Sequence, residues 1–130
     1  MGAFAKSLLV FLGAGLGANA RYWLGGWIQD RTGVSFPWNT LIINVTGSLA
    51  MGIFMAVFLK GTFNPGWRLF LAIGVLGGYT TFSAFSYEAI ALIRESSWLY
   101  AIWYILGSNF ASIFASGIGF VGMRALSGVT

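Results

Sequence analysis

The chain has 130 residues, of which 58% are apolar and only 8% charged, with seven Lys or Arg, three Asp or Glu and no His. A soluble domain carries about a quarter charged residues, so this chain cannot cover a water-exposed globule, and a soluble monomer is excluded. With neither Cys nor His, it has no disulfide, no thiolate metal site and no imidazole base, and three acids leave a hydrolytic or metal enzyme little to work with.

A membrane-spanning helix needs about 20 apolar residues. The first span is expected over about 7–29. Its charge-free stretch Ser7–Ala20 is short, so the helix must continue past Arg21, whose side chain snorkels or finds a partner. Lys6 followed by Ala18-Asn19-Ala20 also fits a leader peptide with a cut site. The apolar pattern runs on beyond Ala20, however, and a span is the better reading. Asp30–Ser35 and Pro37 mark a loop, and the charge-free run after Arg31 gives a second span over about 38–59. Lys60–Gly66, containing Asn64-Pro65-Gly66, is a turn signal. The third span covers about 68–94 and is closed by Arg94-Glu95-Ser96. Ser96 or Ser97 is a candidate cap for the fourth, over about 97–123. Trp27, Trp38, Trp67 and Trp98 fall near the ends, where interfacial Trp belongs. The expected fold is therefore an all-α integral membrane protein, residues 1–130 forming a single four-helix transmembrane domain.

Orientation is weakly specified. With four spans, Lys6, Lys60, Arg68 and Arg124 share one side, and Arg21, Arg31 and Arg94 the other, four against three. Lys/Arg asymmetry sets topology, so either one charge decides or copies insert both ways up and pair antiparallel. Small residues recur at helix-packing spacing: Gly13 and Gly17, Gly74 and Gly78, Ser48 and Gly52, Ala115 and Gly119. Four short helices enclose little interior, which favours a homodimer or larger oligomer.

Polar groups in hydrocarbon need a reason, and three sets stand out. Gly77-Gly78-Tyr79-Thr80-Thr81-Phe82-Ser83-Ala84-Phe85-Ser86 lies mid-span and is poor helix. It reads either as a third helix broken near the midplane, whose freed backbone groups bind an ion, or as a continuous helix with hydroxyls bonded to the carbonyls four residues back. On the fourth span, Tyr104, Ser108, Ser112 and Ser116 recur every four residues, so they share a face. They form either a hydroxyl ladder that hands along a desolvated anion or interhelical glue, the role also expected of Asn109. On the second span, Thr40 and Asn44 are four apart and read first as interhelical hydrogen-bonding groups, although the Asn44 amide can also orient an anion or cap broken backbone. Phe82 and Phe85, three apart on one helical face, read first as core; alternatively their ring edges, which carry partial positive charge, suit a small hard anion. Glu88, one turn on, is expected at a pore end or paired with Arg21 or another Arg.

The decapeptide from Gly77 to Ser86 resembles the GGxTTFSTFS signature of the CrcB/Fluc fluoride channel family, with Ala84 in place of the usual Thr. Asn44 within Leu41-Ile42-Ile43-Asn44-Val45, Arg21 within Ala20-Arg21-Tyr22-Trp23, and the Tyr104–Ser116 spacing are similar to further features of that family. The likeness extends over the whole chain.

The resemblance implies antiparallel, dual-topology homodimers with two pores, giving passive fluoride export that protects the cytoplasm of a prokaryote from its inner membrane. It implies a structural Na+ at the dimer centre, held by backbone carbonyls of Gly77 and Thr80 from both subunits. It assigns fluoride contacts to Phe82 and Phe85, and a donor or ring-fixing role to Asn44. Arg21 is expected to concentrate anions at a vestibule. Thr40 and Ser83 join the path, and the ion leaves along Tyr104, Ser108, Ser112 and Ser116. No nucleic acid or other protein partner is implied. The rival is a small dual-topology, proton-coupled exporter of cationic compounds with Glu88 as its carrier acid. A non-transporting scaffold is a third possibility.

Overall fold

The computed structural model describes residues 1–61 and 64–128, and among them every regular element is helical. Helix α1 runs Ala3–Thr32 and α2 runs Trp38–Phe58. The third segment opens with Pro65–Trp67, continues as a π-helical stretch Arg68–Leu76 and ends with Gly77–Tyr79; together these are α3. Helix α4 is Phe82–Arg94 and α5 is Trp98–Leu126. Four stretches, Ala3–Thr32, Trp38–Phe58, Pro65–Arg94 and Trp98–Leu126, are long and apolar enough to cross a membrane.

Both ends of the bundle follow from local chemistry. Gly33 closes α1 with φ 77°, a left-handed conformation that glycine adopts without penalty, and its N–H bonds the Gln29 carbonyl. The turn expected over Lys60–Gly66 falls partly at Thr62 and Phe63, outside the described residues. Its second half is a cap: Asn64 Oδ1 accepts from Gly66 N–H at 2.8 Å, with Pro65 at the first helical position. Ser97 occupies the N-cap of α5, but its hydroxyl makes no capping bond. Ser96 turns the chain there with φ 58°.

The small-residue pairs decide which helices touch. A Cβ on Gly13 would stand 2.9 Å from Gly74 Cα and collide with the Phe70 carbonyl oxygen. One on Gly17 would stand 2.9 Å from Tyr79 N, and one on Gly78 would stand 3.0 Å from Ala14 Cα. So α1 lies backbone to backbone on α3 at Gly13, Gly17, Gly74 and Gly78. The same device joins α2 to α5, where a Cβ on Gly52 would stand 3.0 Å from Phe120 N and one on Gly119 3.1 Å from Ile53 N. In lipid there is no hydrophobic drive between helices, so this close approach and its dispersion contacts hold the pairs. A small aromatic core closes the end of the bundle near the α4–α5 turn. Tyr104 is fully buried there, with Phe85 5.2 Å from it and Phe36 edge-on at 5.5 Å between ring centroids.

Candidate functional site

Between α3 and α4 the backbone leaves the helix for two residues. Thr80 has φ −79° and ψ 157°, and Thr81 has φ −150° and ψ 121°, both extended. Their backbone groups need partners, and a side chain of α2 supplies them. Asn44 Oδ1 accepts from Thr81 N–H at 2.8 Å, and Asn44 Nδ2 donates to the Thr81 carbonyl at 2.9 Å. One amide thus pairs with one residue's backbone as a neighbouring strand would. Thr81 Oγ1 then accepts from Ala84 N–H at 3.2 Å and caps α4.

These bonds redirect two donors. In an uninterrupted helix Thr81 N–H would bond the Gly77 carbonyl and Ala84 N–H the Thr80 carbonyl. Here the first goes to Asn44 and the second to the Thr81 hydroxyl. The Gly77 and Thr80 carbonyl oxygens therefore lack their ordinary helical donors. Neutral oxygen ligands of this kind suit a hard cation such as Na+, and Gly77 itself is exposed.

Beside the extended pair lies a cavity of about 310 Å³. Asn44, Thr80, Phe82 and Phe85 line one side and Ser108, Ser112 and Ser116 of α5 the other. None of the described lining residues is charged. The Ser108 hydroxyl is buried and has no hydrogen-bond partner, and an orphan buried donor is costly unless something visits it. Asn44 Nδ2 has a second hydrogen beyond the one given to Thr81. The Phe82 and Phe85 rings sit 5.4 Å apart and tilted by 43°. Phe85 is buried, whereas Phe82 is 75% exposed.

A second, larger hollow of about 1280 Å³ opens toward the α1–α2 turn. Arg21, Thr40, Ser83 and Glu88 line it, and Thr81 borders both spaces. Of the two expectations for Glu88, a pore end or a pair with Arg21 or another Arg, the pairing is not seen among the described residues, while Glu88 does line the larger hollow. Its carboxylate accepts from Thr40 Oγ1 at 2.8 Å and from Tyr104 O–H at 2.5 Å, joining α2, α4 and α5.

The expected residues thus fall into two groups. Asn44, Phe82, Phe85, Ser108, Ser112 and Ser116 meet at the smaller cavity, and Arg21, Thr40 and Ser83 at the larger. The even spacing of the α5 hydroxyls misleads in one place. Tyr104 does not line the smaller cavity; it is buried and directed to Glu88. Asn109 is not interhelical glue, because its amide donates to Ile105 O at 2.7 Å on its own helix while it borders the cavity. Thr40 and Asn44 act apart, one on Glu88 and the other on Thr81.

Two roles were not anticipated, that of Thr81 within the suspect stretch and that of Gly47 outside it. Thr81 is the cap and the shared wall, and a Ser or Thr ahead of the Phe-rich helix was its available signal. Gly47 sits where a Cβ would stand 3.0 Å from the Tyr79 ring, so glycine there lets α2 reach the extended pair. Nothing local in the sequence marks it.

The family model described as CrcB-like protein, Camphor Resistance (CrcB) matches residues 8–120. A protein named fluoride-specific ion channel FluC from Thermus thermophilus is 44% identical over 115 residues, covering 88% of this chain and 91% of its own length. One of the same name from Rhizobium meliloti is 47% identical over 121 residues, covering 92% and 96%. Another, from Chloroflexus aurantiacus, is 42% identical over 113 residues, covering 86% and 90%. A match that enters all four spans, and relatives covered almost end to end, show that the chain belongs to the CrcB family.

Proposed function

We propose that this chain is a fluoride-selective channel of a prokaryotic inner membrane, passing fluoride down its gradient and lowering the cytoplasmic concentration. The observation that carries the reading is the smaller cavity. It gathers neutral donors and two phenyl rings around an unpartnered Ser108 hydroxyl and holds no formal charge. Fluoride is small and strongly hydrated, so it crosses only where fixed donors replace its water. The Ser hydroxyls, the second Asn44 amide hydrogen and the ring edges of Phe82 and Phe85 provide such replacements. A lysine or arginine there would hold the ion too strongly for it to leave, since conduction needs sites weak enough to empty. Arg21 offers an entering anion a cationic contact in the larger hollow, whose lining also holds Asp30 and Glu88, and the Thr81–Ser83 wall leads inward. Passage continues past Ser112 and Ser116.

The working unit in this proposal is an antiparallel homodimer with a pore on each side, built around interruptions of the third span at the midplane. The near-equal Lys/Arg count and the exposed faces of Phe82 and Gly77 support it. The Gly77 and Thr80 carbonyls of both copies would hold a structural Na+ between them. Its charge would offset repulsion between facing carbonyls, while the chain's own residues do the conducting.

Glu88 is engaged by two hydroxyl donors, which favours a structural clasp over the carrier acid of a proton-coupled cation exporter. The test is fluoride efflux from liposomes containing the purified protein, followed by a fluoride electrode after a potassium ionophore is added. Rapid release is expected. Absence of release, or acid-driven uptake of a cationic dye that disappears in Glu88→Gln, overturns the reading. Single cysteines at Ser7 and Ser35, in a chain without native Cys, test orientation. Both must label from both sides of the membrane if copies insert both ways.

A further inference from the structure

We infer that the end of the bundle bearing Lys6, Lys60, Arg68 and Arg124 binds the headgroup of an anionic phospholipid, with an acyl chain in the groove between α1 and the start of α3 at that end. Helices α1 and α2 run antiparallel, so the start of α1, the end of α2, the start of α3 and the end of α5 meet at one end. All four basic residues there are exposed. All three acids of the chain, Asp30, Glu88 and Glu95, lie toward the opposite end. That leaves a charge of four positive and no negative side chains at one end. Orientation counting, which takes only Lys and Arg, does not show this asymmetry.

Three of these cations are held around the ends of α2 and α5. The Arg68 guanidinium lies 5.9 Å from the Phe58 ring centroid and the Arg124 guanidinium 5.7 Å from that of Phe120. Lys60 Nζ donates to the Ser127 carbonyl at 3.4 Å. Cations at helix C-termini are favourable in themselves, and that accounts for their presence near these carbonyls. It does not account for the groove between α1 and the start of α3 at the same end of the bundle. A cavity of about 370 Å³ is lined by Leu9, Asn64, Gly66, Trp67 and Phe70. Leu9 is one turn after Lys6, and Trp67 adjoins Arg68. A largely apolar slot that carries an interfacial Trp, one residue from Arg68 and one turn from Lys6, fits an acyl chain below a phosphate. Basic pockets between spanning helices recognise anionic headgroups in this way. The apolar lining of the slot selects a lipid over a free phosphate.

The test is native mass spectrometry of the detergent-purified protein titrated with phosphatidylglycerol, with phosphatidylcholine of the same chains, and with glycerol phosphate. Phosphatidylglycerol is expected to bind at least about tenfold more tightly than phosphatidylcholine, and glycerol phosphate to compete poorly. Each basic residue near an anionic surface contributes about fivefold. Replacing Lys60, Arg68 and Arg124 together by Gln should therefore weaken phosphatidylglycerol binding on the order of 100-fold. Single substitutions, each expected to cost about fivefold, carry the same test if the triple variant does not fold. Arg31→Gln with Arg94→Gln, at the opposite end, should leave binding unchanged, and Leu9→Trp should weaken it by filling the slot. Equal binding of the two lipids, an unaltered preference in the basic-end variants, or displacement by equimolar glycerol phosphate would overturn the proposal.

Discussion

Replacing Asn44 by Ala removes the side chain that holds Thr80 and Thr81 out of the helix. Two backbone groups of Thr81, a residue 9% exposed, lose their partners at once. A buried polar group left unpaired costs about 1–3 kcal/mol, so the two together cost about 2–6 kcal/mol. Part of this is recovered if Thr81 N–H turns to the Gly77 carbonyl and the segment rewinds. The expected net loss is therefore about 2 kcal/mol, and rewinding would at the same time close the carbonyl pair and move Phe82. Asn44→Asp separates these effects. Its carboxylate can still accept from Thr81 N–H but cannot donate to the Thr81 carbonyl, and it places a negative charge on the wall of the smaller cavity. Stability should fall by about 1–3 kcal/mol, while fluoride flux should fall further than in the Ala variant. Unfolding in mixed detergent micelles measures the first quantity and liposome efflux the second. If Asn44→Ala unfolds like the parent and conducts at the parental rate, the clamp described here has no role and the reasoning fails.

Ser108→Ala removes a buried hydroxyl that has no partner in the resting structure. Stability should change by less than about 1 kcal/mol while fluoride efflux falls, and a large loss of stability would show that the hydroxyl is structural. Phe82 and Phe85 should separate in the opposite sense. Phe85→Ala empties a site packed against Tyr104 and should cost about 3–5 kcal/mol, whereas Phe82→Ala, on an exposed ring, should cost little in a monomeric micelle and chiefly reduce flux. Glu88→Gln keeps one acceptor for the Thr40 and Tyr104 hydroxyls instead of a charged pair. Hydrogen bonds to charged groups contribute about 1.5–3 kcal/mol, so a loss of that order is expected in the same unfolding assay. Gly13→Leu should prevent α1 from seating on α3, read as loss of folded protein on size-exclusion chromatography, while Gly15→Ala, where a Cβ meets nothing within 4 Å, should be neutral.

The four spans were legible because charges punctuate the chain so sparsely. Between Arg31 and Lys60, and between Glu95 and Arg124, no charged residue occurs. Periodicity also marked the helix-packing glycines, but it could not say that Gly13 would meet Gly74 while Gly52 would meet α5. Such pairings depend on how helices are arranged in space. The site was legible in composition and partly misleading in detail. Spacing of four placed Tyr104 with the serines, yet a carboxylate on α4 draws its hydroxyl away, and no rule of spacing within one helix anticipates a partner on another. In the same way Glu88 and Arg21 suggested an ion pair by charge alone, but two hydroxyls reach the carboxylate. The exit of Thr81 from the helix depends on Asn44, 37 positions earlier. Weak local helix propensity in Gly77–Thr81 made an interruption possible, and a distant amide fixes where it lies.

Selectivity between two anions tests the central claim most directly. Liposomes loaded with equal fluoride and chloride, each followed by its own electrode after the ionophore is added, give both fluxes from one preparation. A cavity of hydroxyls, an amide and ring edges shaped for a small hard anion should release fluoride rapidly and chloride at the rate of protein-free vesicles. Chloride release at a rate comparable to fluoride, or no release of either, would contradict the account.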